Sequence, residues 1–251
     1  MKKTKANKKG KKSSHGLHRL WEVDLLRGIA IILVVIFHLF YDLDWLGILQ
    51  NEMFQGWWLV LQRIAASSFL GLVGLSLILA WQKHKEGFSQ HCIKRGISIL
   101  LWGMVISLVT FVVFGDGFVR FGVLHLIGLS ILISSFIVRM PSAVHLLLGV
   151  ALLFVGDTIK ALSTTSPLLL WLGITYPGFW SVDYFPVIPW LGVVLLGMAA
   201  GAWLFPKGKR RISVPEQVPA RLQWLPWLGQ KTLWIYLIHQ PILVGILYLL
   251  R

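Results

Sequence analysis

The sequence predicts an all-α fold, a polytopic integral membrane bundle of about seven spanning helices with a cytoplasmic N terminus, and three observations predict it. Of 251 residues, 56% are hydrophobic and only 14% charged, with a mean hydropathy of +0.73, well beyond an ordinary soluble domain. The apolar residues fall in runs long enough to cross a bilayer as helix, which takes about 20 residues. Basic residues are shared unequally between alternate loops.

The runs lie at 23–41, 64–82, 96–114, 121–138, 143–160, 186–205 and 230–250. They must be helices, because each unpaired backbone amide exposed to lipid costs several kcal/mol and an open strand would expose many. The first run follows a Lys-rich segment, as a secretory signal does, but Tyr41-Asp42-Leu43-Asp44-Trp45 comes next in place of a small-residue cleavage site. It reads as an uncleaved anchor. Residues 1–19 form a basic cytoplasmic tail, expected to be disordered, and 20–251 one membrane domain. The very short connector Arg139-Met140-Pro141 separates the fourth and fifth runs. Two outer segments, Asp42 to Gln62 and Ala161 to Phe185, remain aromatic and apolar, and are expected to fold back into the interface. The inner segment Pro206 to Arg221 is basic and proline-bearing, a linker by composition.

Positions 1–27, 83–95, 139 and 206–231 carry 20 of the 24 Lys and Arg residues, leaving Arg63, Arg120, Lys160 and Arg251 for the other side. The positive-inside rule then puts the N terminus in the cytoplasm and the C terminus outside the cell membrane. The formal charge of +14 is therefore accounted for by topology and anionic lipid rather than by nucleic acid. The single cysteine, Cys92, excludes an intramolecular disulfide, and with His91 beside it falls short of a metal-site pattern. Gly71, Gly74, Gly103, Ser76 and Ser107 are small residues suited to close helix packing.

Ionisable groups within a spanning helix are costly and mark functional sites by default. The first run contains Asp24, Arg27, His38 and Asp42. At about 100° per residue, Arg27 at zero puts His38 near 20° and both aspartates near 60°. All four share one face. Along the axis Arg27 and His38 are about 16 Å apart, a cation near the inner boundary and a proton carrier in the outer half. Asp42, one turn beyond His38, is spaced to orient the imidazole. The plainer alternative is an Asp24–Arg27 ion pair at i, i+3 and a histidine that bonds a neighbouring helix.

Trp21-Glu22-Val23-Asp24-Leu25-Leu26-Arg27-Gly28-Ile29-Ala30, with His38 ten residues after Arg27, resembles the opening of the transmembrane acyltransferases. It resembles bacterial members of the heparan-α-glucosaminide N-acetyltransferase catalytic-domain family, and the Arg-to-His spacing is shared with acyltransferase-3-like proteins. Phe121 to Gly128, Asp183 to Gly192 and Ile235 to Pro241 resemble further stretches of the family, in the same order. The resemblance runs from about residue 19 to the end. In one departure, the loop Tyr41 to Gln62 has no histidine, where the animal lysosomal members place theirs.

The resemblance implies an acyl-CoA donor, acetyl-CoA by analogy, entering from the cytoplasm and a sugar or glycan acceptor meeting it from the opposite side. Arg27 matches the family's donor-side arginine and His38 its catalytic histidine. Acyl transfer needs a base for the acceptor proton and donors for the oxyanion, and imidazole, with an ordinary pKa near 6.5, suits the first task. Arg27, Lys94, Arg95 and Lys231 are candidates for the donor's phosphates. Asp24, His125 and His239 are candidates to line the cavity, the histidines also as oxyanion donors. Asp183, Tyr184 and Trp180 are candidates for the acceptor, although Trp171, Tyr176 and Trp180 also suit interfacial anchoring. No metal is called for, lipid is the expected environment, and an oligomer stays open. Two other readings remain: a proton-coupled permease, since buried Asp, His and Arg also form ion relays, and a non-catalytic subunit of another membrane enzyme.

Overall fold

The computed structural model describes residues 20–50, 53, 55–83 and 85–250, so the basic tail 1–19 lies outside the described residues. Among the described residues eight α-helices run in order: α1 (Trp21–Trp45), α2 (Gly56–Lys83), α3 (Phe88–Phe114), α4 (Val123–Ile137), α5 (Ser142–Lys160), α6 (Val187–Leu204), α7 (Trp224–Gln230) and α8 (Thr232–Leu249). Six are long and apolar enough to cross a membrane, and α4 is a shorter apolar helix, so the seven expected runs are all present. Large apolar side chains such as Phe154 (81% exposed) and Leu249 (88%) cover the outside. Lipid is the solvent that suits such a surface.

Helices α2 and α3 each begin eight residues before their apolar runs. α2 starts at Gly56 and α3 at Phe88, because Arg63, Lys94 and Arg95 ride on helical turns at the membrane edge, where long cationic side chains reach water. The segment Asp42 to Gln62 thus begins with the last turn of α1 and ends with the first turns of α2. α7 is a single element of seven residues, too short to announce itself by periodicity.

Glycines bring the backbones together. α6 lies between α2 and α5: a Cβ on Gly74 or Gly197 would overlap the carbonyl of Val194 or Gly71, and one on Gly192 would press on the Gly149 carbonyl. Gly96 and Gly128 set α3 on α4 in the same way. With lipid outside there is little hydrophobic gain from association, so close approach and dispersion hold helices together. α7 is seated on α1 through Gly28, against the Leu225 carbonyl, and Gly229, against that of Asp24. α8 packs chiefly on α1.

The segment between α5 and α6 is a folded pad around the 3₁₀ turn Pro167–Leu172. It joins the α3–α4 connection by an isolated bridge between Phe121 and Tyr184 and by Val182 N–H to the Gly117 carbonyl at 3.0 Å. At the opposite end of the bundle the linker between α6 and α7 is tied to α1, with Arg210 gripping Glu22 through two bonds of 2.6 and 3.0 Å and Trp21 donating to the Pro215 carbonyl at 3.0 Å. The Glu22 carboxylate holds the Arg210 guanidinium above its ordinary pKa.

Candidate functional site

Near the N-terminal end of α1, Arg27 bonds Asp24 at 2.8 Å and reaches across to the Ser76 hydroxyl on α2. Asp24 is 2% exposed. Ser76, which looked like a packing residue, is thus a hydrogen-bond partner. Beside this pair a cleft of about 290 Å³ opens between α1, the linker and α7, with Trp21, Asp24, Gln223, Trp227 and Gln230 in its walls. Lys231 follows Gln230 directly, and Lys94 and Arg95 sit on the first turns of α3. Lys94, Arg95 and Lys231 are exposed.

Further along α1 the half-buried His38 meets α8. Its ring lies 4.8 Å from that of His239, at 85°. The Nδ1 of His38 contacts the Val34 carbonyl at 2.8 Å, and the Nδ1 of His239 contacts the Tyr236 carbonyl at 2.7 Å. A carbonyl only accepts, so in the neutral rings both protons sit on Nδ1 and both Nε2 atoms carry a lone pair. His38 can therefore act as a base at Nε2. His239 in this tautomer is an acceptor, which removes it as an oxyanion donor while the ring is neutral.

Asp42 does not orient His38 as the i, i+4 spacing suggests. Its Oδ1 accepts from the Gln240 amide of α8 at 2.6 Å, and the Val34 carbonyl holds the imidazole instead. Helical side chains lean toward the N-terminal turn, which lays the His38 ring over Val34. Asp42 is 2% and His239 7% exposed, so α1 and α8 are stitched together by two buried polar contacts at adjacent levels.

The third part of the site is the start of α4. The Gly122 N–H donates to His125 Nδ1 at 3.2 Å, and the Val123 N–H donates to Asp183 Oδ2 at 3.1 Å. These side chains satisfy backbone donors that every helix start leaves open. His125 consequently has its proton on Nε2, the opposite tautomer to the other two, 3.5 Å from the Ser107 hydroxyl. Gly103 lies against the His125 ring, where a Cβ would be a tight fit, and Gly122 against the Asp183 carboxylate, where a Cβ would collide. Burial pushes the Asp183 carboxyl up to about 6, although the Val123 N–H opposes it. His125, Asp183 and Tyr236 line one narrow crevice. Tyr236 also stacks on His239 at 5.3 Å, so it joins the crevice to the histidine pair.

The remaining candidates stand apart. Tyr184 donates to the Leu170 carbonyl at 2.7 Å, and burial pushes its hydroxyl up to about 12. Trp180 is exposed, packs on Gly117, and its carbonyl takes a bond from Arg120. Both build the pad between α5 and α6. Tyr236 and Gln240 were legible in principle, since 236, 239 and 240 follow the i, i+3, i+4 rule for one helix face.

The four stretches around His38, His125, Asp183 and His239 are distant in sequence and come together around α1, α4 and α8. A family model described as heparan-alpha-glucosaminide N-acetyltransferase, catalytic, matches residues 19–241, which includes all four. No curated protein and no solved structure gives a match.

Proposed function

The chain belongs to the heparan-alpha-glucosaminide N-acetyltransferase catalytic family, a family of membrane acetyltransferases, and from that premise we propose that it moves an acetyl group from cytoplasmic acetyl-CoA to a hydroxyl or amine of a sugar or glycan presented on the opposite side of the cell membrane. The observation that carries this reading is the pairing of His38 with His239, which leaves a basic Nε2 on His38 between α1 and α8.

In this mechanism His38 Nε2 removes the acceptor's proton as its oxygen or nitrogen attacks the thioester carbonyl. A tetrahedral intermediate forms, the carbon–sulfur bond breaks, and the CoA sulfur leaves with the proton held on the imidazolium. The Val34 carbonyl holds the ring in the productive tautomer and His239 walls it in. His125, Asp183 and Tyr236 line the approach to the pair.

The donor's place is the inner cleft. Trp21 and Trp227 offer faces for a purine and the amides of Gln223 and Gln230 offer edges. Arg27, Lys94, Arg95 and Lys231 contribute the positive field that draws the phosphates, Arg27 while holding Asp24 against the cleft. The distance from Arg27 to His38, about 16 Å along the helix, suits an extended donor arm.

The test is release of free CoA by the purified protein given acetyl-CoA and a panel of sugars. Acceptor-dependent release that disappears in His38→Ala is the expected result. No donor binding and no release, with a flux driven by a pH gradient, would replace this reading with that of a permease.

A further inference from the structure

Acyl transfer by His38, the premise on which the acceptor's binding is argued, gives the acceptor a base but nothing to hold it. Two buried oxygens beside that base lack partners among the described residues. Gln240 donates its amide to Asp42 Oδ1, and since a carboxylate here accepts, the amide orientation is set. That leaves Asp42 Oδ2 and Gln240 Oε1, both buried and neither hydrogen-bonded. Leaving a buried acceptor unmade costs about 1–3 kcal/mol, more for a charged one, and folded proteins rarely tolerate it without a reason.

The position of these oxygens supplies the reason. Asp42 is one helical turn, about 6 Å, beyond His38 on the same face, and Gln240 adjoins His239 in the chain. Both oxygens are therefore buried at the α1–α8 contact, one turn beyond the level of the catalytic imidazole, toward the outer half. Among the described residues no Lys or Arg forms an ion pair with Asp42. A group bound there must donate hydrogen bonds, and a negative charge would be repelled without a cation to offset it.

We infer that Asp42 and Gln240 form the acceptor's docking pair: two oxygens that take hydroxyl or N–H donors flanking the reacting group, and that discriminate against anionic acceptors. Asp42 is thus a specificity-determining residue rather than a partner of the base.

The experiment measures binding to the full chain in lipid nanodiscs, without acetyl-CoA, by saturation-transfer NMR. The probes are methyl glucoside, its 2-amino analogue and the corresponding glucuronide. The first two should bind, and the glucuronide at least about tenfold more weakly. Asp42→Asn should weaken the glucoside about tenfold, the equivalent of one buried hydrogen bond, and shrink the penalty on the glucuronide to threefold or less. Gln240→Met, which keeps side-chain length, should weaken the glucoside without changing that penalty, and it decides the question if Asp42→Asn does not fold. Equal or tighter glucuronide binding, wild-type affinities in the variants, or no binding of any probe would overturn the inference. CoA release measured in parallel separates the two readings: discrimination without transfer defeats only the transferase reading, and transfer without discrimination defeats only this one.

Discussion

The imidazole of His38 meets that of His239 edge to face, with ring centres 4.8 Å apart, and each ring gives its Nδ1 proton to a carbonyl of its own helix. Two basic Nε2 atoms therefore lie in one buried place. One can take the acceptor's proton and the other shapes the space around it. His38→Ala should lower kcat for CoA release by about 10²–10⁴-fold, the usual worth of a general base. Melting temperature and acetyl-CoA affinity should stay near wild type. His239→Ala should cost less, and an equal loss in both variants would make the histidines joint bases.

Arg27 has two duties that can be separated. Arg27→Ala removes the cation 2.8 Å from the buried Asp24 carboxylate, which should cost stability and lower the melting temperature. The double variant Asp24→Asn with Arg27→Ala should regain most of that stability, because no buried charge is left behind. Its acetyl-CoA affinity should nonetheless remain weakened. A wild-type affinity in the double variant, measured by calorimetry, would confine Arg27 to structure.

The seat of α7 on α1 tolerates no added atom. A Cβ on Gly229 would overlap the Asp24 carbonyl, so Gly229→Ala should destabilise by about 1–3 kcal/mol through overpacking. It should also weaken acetyl-CoA binding, since α7 forms a wall of the cleft. Thermal melts and donor titrations of the variant check both effects, and a loss of stability with intact donor binding would move the donor elsewhere.

Asp183 gives a pH signature. Burial raises its carboxyl to about 6, so the folded chain holds this proton more tightly than the unfolded chain does. The resulting stabilisation is complete below the ordinary carboxylate pKa near 4 and is lost as pH rises through about 6. Asp183→Asn keeps an oxygen for the Val123 N–H and cannot ionise. The variant should match wild type at pH 4 and exceed its melting temperature at pH 7.5. A difference that does not change with pH would show that Asp183 is not desolvated.

The membrane bundle was readable in the residues themselves, because spanning length and apolarity are local properties and lipid imposes them run by run. All seven apolar runs became helices. Their ends were less legible, as at Arg63, since a hydropathy window stops at a charge and a helix does not. The polar stripe was also readable, because four residues on one helix share a face by periodicity alone. Asp24 and Arg27 paired as their i, i+3 spacing allows.

Partners across helices belong to the folded chain. Asp42 finds Gln240 across 198 positions, where the helical repeat pointed instead to His38, four residues away. His38 finds His239, and α7 finds Gly28. Periodicity says which way a side chain points, but what stands opposite depends on how closely two backbones approach, and here glycines such as Gly28, Gly74 and Gly229 set that distance. His38 could thus be singled out as the candidate base from one helix. Its tautomer and its second histidine required all the helices to be in place.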